Sequence, residues 1–315
     1  MDTSIRVVAL GGGHGLSASL QALRHVSRNL TAVVTVADDG GSSGRLRKEL
    51  GCLPPGDLRM ALSALCDDTE WGHTWRDVLQ HRFHTNGPLN NHAVGNLLIA
   101  SIWEQLGDPV AGLELVGRLL GARGTVLPMA MVPVEIAATV REAGGTTTVW
   151  GQSRVAVTTG EVTAIWLEPA DPPACPQAAA AIEQADFVVL GPGSWYTSVM
   201  PHLLVPELNR ALHNSKHRVL TANLVAQHGE TENMSPGDHL RVLHAHAPNL
   251  TFEAVIADPF AISDLDDFTT AAADLLGARV LLRQVGSARA VGVHDPLRLA
   301  AAYRDAFEGA IGDVG

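Results

Sequence analysis

The sequence predicts an α/β protein with a mainly parallel, doubly wound sheet. Three observations carry that prediction: short apolar runs without alternation, helically spaced segments between them, and glycine-rich turns where two of the runs end. The 315 residues leave room for one large domain or two of ordinary size. An apolar share of 46% supplies a core, while only 17% charged residues argues against disorder or coiled coil.

Ile5 to Leu10 reads as the first strand, Gly11-Gly12-Gly13-His14-Gly15 as its turn, and Leu16, Leu20 and Leu23 as one face of a helix. Ala32 to Ala37 is a second buried strand, stopping at Asp38-Asp39-Gly40-Gly41, so the first forty residues form a βαβ unit. Leu58, Leu62 and Leu65 mark a helix entered through Pro55-Gly56-Asp57, with Asp57 as its cap. Val94 to Leu106 is apolar almost all round and ends at Gly107, as an interior helix should. From about 121 to 170 the chain reads as hairpins around Gly144-Gly145, an antiparallel elaboration within a single domain spanning 1–315. Parallel units resume with Phe187 to Leu190 before Gly191-Pro192-Gly193-Ser194, then Arg218 to Ala222 before Asn223, Phe252 to Ala257, and Val280 to Leu282. Ser235-Pro236-Gly237-Asp238 has capping-box spacing, and Asp295-Pro296 opens the last helix.

Lys plus Arg is 22 against 33 for Asp plus Glu, a net charge of −11, which is the wrong sign for a nucleic-acid partner. No stretch is apolar for the length of a membrane span, and Met1 to Ile5 shows no signal-peptide pattern, so a cytoplasmic location is expected. Cys52, Cys66 and Cys175 form no C-x-x-C pair, which speaks against a disulfide framework or zinc ribbon.

In a doubly wound sheet, ligands bind beyond the carboxyl ends of the strands where strand order reverses, so residues just after strands carry the functional reading. Gly11, Gly12, Gly13, His14 and Gly15 present unobstructed amides at a helix start, suited to phosphate, or else simply make a tight turn. Counting from Gly11, the third glycine of a dinucleotide fingerprint would fall at Leu16, so that fingerprint is weak. Asp38 and Asp39 stand where a carboxylate can accept ribose hydroxyls, and Gly41, Ser42 and Ser43 lead to Arg45 and Arg47, guanidiniums able to pair with phosphate. The plain alternative for that segment is a solvated turn. Asp57 either caps its helix or joins Asp39 in holding Mg²⁺ against phosphate. A second phosphate turn is expected at Gly191, Gly193 and Ser194, with Tyr196, Thr197 and Asn223 beside it. His92 and Asn96 share one helix face and need partners, from backbone or ligand. No serine-hydrolase elbow or zinc spacing appears.

Taken together, Gly11 to Ser17, Val34 to Arg47, Pro54-Pro55-Gly56-Asp57-Leu58-Arg59, His92-Ala93-Val94-Gly95-Asn96-Leu97, Gly191 to Ser198 and Gln227-His228-Gly229-Glu230-Thr231 resemble the YvcK-like gluconeogenesis factor family. That resemblance implies a Rossmann-like fold shared with CofD, the 2-phospho-L-lactate transferase. It also implies binding of UDP-sugars, notably UDP-N-acetylglucosamine, and a role in cell shape and peptidoglycan synthesis during gluconeogenic growth. Cell-wall or regulatory proteins are then the expected partners, with a homo-oligomer possible. In the transferase branch aspartates hold a divalent metal, and Asp39 and Asp57 look equivalent. The chain departs from the family at His14 (usually Thr), Trp195 (usually Leu) and His228 (usually Pro). The preferred reading is a UDP-sugar-binding regulator that needs no cofactor. A CofD-like metal-dependent transferase is the alternative, and an NAD(P) oxidoreductase is a third and poorer one, although a dinucleotide could occupy the same cleft.

Overall fold

A computed structural model describes residues 4–312 apart from His228, Gly229 and Asn233. The chain opens with β1 (Arg6–Gly11), α1 (Gly13–Leu23) and β2 (Asn29–Val34). There follow α2 (Gly41–Leu50), α3 (Gly56–Leu65), α4 (Glu70–Gln80), α5 (Val94–Leu106), α6 (Pro109–Leu120) and β3 (Thr125–Pro128). Next come β4 (Glu135–Glu142), β5 (Gly145–Trp150), α7 (Gln152–Val155), β6 (Glu161–Glu168), α8 (Pro176–Gln184) and β7 (Phe187–Leu190). A π-helical turn, Trp195–Val199, precedes α9 (Pro201–Leu204), α10 (Pro206–Asn214), β8 (Arg218–Thr221), α11 (Pro236–His246), β9 (Ala254–Ala257), α12 (Leu265–Leu276), β10 (Arg279–Leu282) and α13 (Pro296–Gly312).

The main sheet has seven strands in the order β10-β9-β8-β7-β1-β2-β3, all parallel. Every residue of β7 and β9 is buried, so both faces of the sheet are covered, which is why these strands read as unbroken apolar runs. The chain adds strands outward from β1 through β2 to β3, then returns to the other side of β1 at β7 and builds outward to β10. The order therefore reverses between β1 and β7.

The antiparallel elaboration is a separate three-stranded sheet, β5-β4-β6. It begins at Glu135 rather than near 121, because Thr125–Pro128 pairs with β2 as the edge of the main sheet. Its apolar Val126 and Leu127 seal that edge strand into the core. Other local signals are realised in the fold. Gly107 closes α5 at φ +66°, Ser235 and Asp238 form a reciprocal capping box, and Asp295 accepts from the amides of Leu297 and Arg298. Asp57 does not cap its helix: Pro55 holds the cap position, and Asp57 stands in the first turn with its side chain turned toward Gly13 at the start of α1 and Thr35 just after β2.

One buried phenol holds the layers together. Tyr303 of α13 is inaccessible to solvent, and its hydroxyl lies 2.6 Å from Ser19 Oγ of α1 and 3.0 Å from Thr221 Oγ1 of β8. The ring of Phe187 stacks on that of Phe307 at 4.1 Å, fixing the same helix over β7.

Candidate functional site

The two glycine turns follow β1 and β7, the neighbouring strands at the reversal, and so leave the sheet side by side. Ser19 Oγ donates to Gly191 O at 3.1 Å, tying α1 to the second turn. A Cβ on Gly15 would collide with the Pro192 carbonyl oxygen and lie 2.7 Å from Gly193 Cα, so the backbones touch only because this residue is glycine. Between the turns lies a cavity of about 320 Å³ lined by Gly12, Gly13, His14, Gly15, Asp57 and Gln152 on one side, with Pro192, Gly193, Ser194, Asn223 and His294 among those opposite.

Gly12 is the extended cap residue of α1 and Gly13 has φ +57°, a turn that presents the first amides of the helix to the cavity. A Cβ at Gly12 would stand 2.9 Å from Thr35 Oγ1 and 3.3 Å from Ser198 Oγ. Gly11 lies below the turn, packed against Leu16.

At the second turn the chain supplies its own acceptors. Asn223 Oδ1 accepts from Gly193 N at 3.0 Å while its Nδ2 donates to Gly193 O at 2.9 Å. Gln227 Oε1 accepts from Trp195 N, and its Nε2 donates to Ser194 Oγ at 3.1 Å. Buried Glu230 accepts from Tyr196 N at 3.2 Å and from Thr197 Oγ1 at 2.6 Å. Tyr196 and Thr197 are thereby held outside the cavity lining, Tyr196 with its hydroxyl toward Val162 O. Trp195 is buried and stacked on His239 with centroids 5.1 Å apart, so its ring face is spent inside the chain. His228, the third departure from the family pattern, lies outside the described residues.

Asp57 is the one carboxylate among the described residues that line the cavity. Enclosure by the surrounding chain, then the charge of Asp38, pushes its pKa up to about 7, against weaker opposing pulls from the Gly13 amide, Thr35 and Arg59. Asp38 is itself pushed up, by burial, while accepting from Gly40 N at 2.9 Å. Asp39 faces the other way. Its Oδ1 accepts from Ser153 N at 2.8 Å, anchoring α7 of the elaboration, and it lies outside the cavity lining. Mg²⁺ typically takes one or two carboxylates and completes its shell with phosphate and water. Asp57 fits that requirement at this cavity, with Asp38 as its charged neighbour, and Asp39 does not.

Several other expected ligand residues are engaged elsewhere. Arg45 donates to Pro88 O at 3.0 Å and Asn90 O at 2.7 Å, and Arg47 donates to Val134 O at 2.9 Å, so both guanidiniums brace loops. Ser42 Oγ lies 3.0 Å from His92 Nδ1 and accepts from Asn96 Nδ2 at 3.1 Å. Asn96 Nδ2 also reaches Ser43, and its Oδ1 accepts from Arg59 Nε at 2.9 Å. His92 precedes α5, whose cap is Ala93, so it and Asn96 do not share a helix face; the partners they need are side chains of α2 and α3, and Gly41 opens α2 at φ +51° on the surface.

The structure also adds residues to the cavity. Gln152 reaches it from the elaboration and donates to Thr197 O at 3.4 Å; nothing in a hairpin sequence announces that position. His294 is buried beside it, held neutral by desolvation that lowers its pKa to about 4, with Nε2 unpartnered. Gln227 and Ser198 both fall within motifs quoted for the family resemblance, where their residue types alone assign no role.

Known proteins bear on this arrangement. Residues 7–271 match the family model described as 2-phospho-L-lactate transferase CofD. Relatives carrying the gluconeogenesis-factor designation include a Mycobacterium tuberculosis protein, 53% identical over 257 residues, covering 80% of this chain and 75% of that one. A Mycobacterium leprae relative is 48% identical, covering 94% and 84% of the two chains. The crystal structure of a UPF0052 family member from Bacillus halodurans superposes with a TM-score of 0.85 at 33% identity, covering 95% of this chain and 99% of that one. A model match over most of the chain, together with relatives at these identities, places the protein in the CofD-like family, in its gluconeogenesis-factor branch.

Proposed function

We propose that this protein is a UDP-sugar-binding regulator, with UDP-N-acetylglucosamine as its ligand. It would report the supply of that ligand to cell-wall synthesis proteins in the cytoplasm. The observation that supports this reading is the convergence of two glycine turns on one cavity at the strand-order reversal. A diphosphate placed there meets the amide end of α1 and the Ser194 hydroxyl, with Asn223 holding Gly193 in place beside it. Among the described residues no lysine or arginine lines that cavity, so the anion is held by dipoles and hydrogen bonds rather than by paired charge.

Calorimetric titration with UDP-N-acetylglucosamine, with and without Mg²⁺, tests the proposal. Micromolar binding is expected, and absence of binding under both conditions would remove it. NADH and NADPH, titrated in parallel, test whether a dinucleotide takes the same cleft.

A transferase of the CofD type is favoured by one specific observation, the Asp57 carboxyl poised near neutrality on the cavity wall. Turnover of an activated phospholactate onto a deazaflavin acceptor, lost in Asp57→Asn, would replace the regulator with that enzyme.

A further inference from the structure

We propose that the nucleotide-sugar lies in the cleft in one orientation, its base stacked on Phe260 beyond the glycine turns and its sugar directed toward Gln152 and Asp57. This deepens the ligand reading above and rests on it. A second cavity, of about 380 Å³, opens at the carboxyl ends of β9 and β10. It shares Leu224, Val225 and Gly292 with the glycine-turn cavity, so the two adjoin. A ligand whose diphosphate sits at the turns therefore has two directions in which to extend, and their chemistry differs.

Toward β9 and β10 the wall carries large apolar side chains beside Gln284, Ser287 and Arg298. Phe260 is 84% exposed, Val291 94% and Val225 46%, all three lining the same cavity. Large apolar side chains left in water side by side around a concavity mark a binding surface rather than incidental exposure. A planar base stacked there would remove that surface from water at small cost in side-chain freedom. The frame that carries Phe260 is fixed: buried Asp258 accepts from the amides of Phe260 at 3.0 Å, Val285 at 2.9 Å and Gly286 at 2.8 Å. Ser287 N donates to Val293 O at 2.7 Å, closing the loop that bears Val291. Gln284 also lines the cavity and makes no hydrogen bond to the described residues, leaving a carboxamide whose donor and acceptor complement the imide edge of uracil.

Toward α1 the lining is polar, with Asp57, Gln152 and His14, and among the described residues it carries no phenylalanine, tyrosine or tryptophan. Such a wall suits sugar hydroxyls and offers a base nothing to stack on.

Titrating UDP and UDP-N-acetylglucosamine into the full-length protein and its Phe260→Ala, Phe260→Tyr and Gln284→Ala variants tests the orientation. Phe260→Ala is expected to weaken both nucleotides by the same factor, about tenfold, with Phe260→Tyr restoring affinity and Gln284→Ala giving a smaller equal loss. The exposure of Phe260 means that thermal unfolding should be unchanged, so a loss of binding is not a loss of fold. Weakening of UDP-N-acetylglucosamine alone would reverse the ligand and overturn the inference. Unchanged affinity for both nucleotides would show that the rim serves some other contact, and would overturn it too. If the wild-type protein binds neither nucleotide, the ligand reading itself fails and the orientation falls with it.

Discussion

Asp57 is the residue whose chemistry is most sensitive to its surroundings. Its pKa of about 7 in the folded chain stands above the ordinary 3.8, so the native state keeps a proton that the unfolded chain has already released between those values. The contribution of this group to stability is therefore full below about pH 4, declines as pH rises toward 7 and stays low above it. Asp57→Asn is expected to leave stability unchanged at pH 4 and to raise it at pH 8, as read by denaturant unfolding. The gain should be on the order of 2 kcal/mol, less than a dry site would give, because the cavity admits water. An anionic ligand should bind more weakly as pH passes 7 in the absence of Mg²⁺, and calorimetry on the Asn variant should show that dependence gone. Arg45 provides the contrast: its donors are spent on Pro88 and Asn90, so Arg45→Ala should change UDP-sugar affinity by less than about twofold while loosening that loop to hydrogen exchange.

At the level of elements, the first turn and α7 each decide part of the site. Gly15→Ala places a methyl group against the Pro192 carbonyl, and the two turns must separate to admit it. We expect at least a tenfold loss of affinity with secondary structure retained, measured by calorimetry and circular dichroism. α7 is a single turn whose amide at Ser153 is satisfied by Asp39, and that contact aims Gln152 at the cavity. Asp39→Ala should therefore act through Gln152: it and Gln152→Ala should weaken binding by similar factors of about three to ten, and the double variant should be little worse than either single one. An additive double variant would show that Asp39 acts on the ligand by another route.

Across the whole molecule, the site exists because the sheet is wound in two directions from β1. The winding leaves two turns adjacent, and the Tyr303 hydroxyl joins the helix on one of them to the strand that follows the other. Tyr303→Phe keeps the ring and its packing but takes from the buried Thr221 hydroxyl its Tyr303 partner and leaves Ser19 with Gly191 alone. A loss of about 1–3 kcal/mol in denaturant unfolding is expected, with ligand affinity nearly unchanged because Ser19 still donates to Gly191. Burial also pushes the Tyr303 phenol up to about 12, so it stays protonated throughout the usable pH range.

The sequence by itself determined the class of fold, the order of its elements and the places where turns must be glycine. Those features are local: apolar runs at strand length, helical spacing, caps such as Ser235 and Asp295, and backbone conformations open to glycine alone. The candidate site was legible to the same extent, at Gly12 to Gly15, Gly193, Ser194 and Asp57. Only the tertiary structure decided which polar side chains face the cavity. Side-chain direction depends on partners distant in sequence, and those partners turn Arg45, Arg47, His92 and Asn96 to structural work. They give Asp39 a capping role, and bring Gln152 and His294 to the cleft from the elaboration and the last loop.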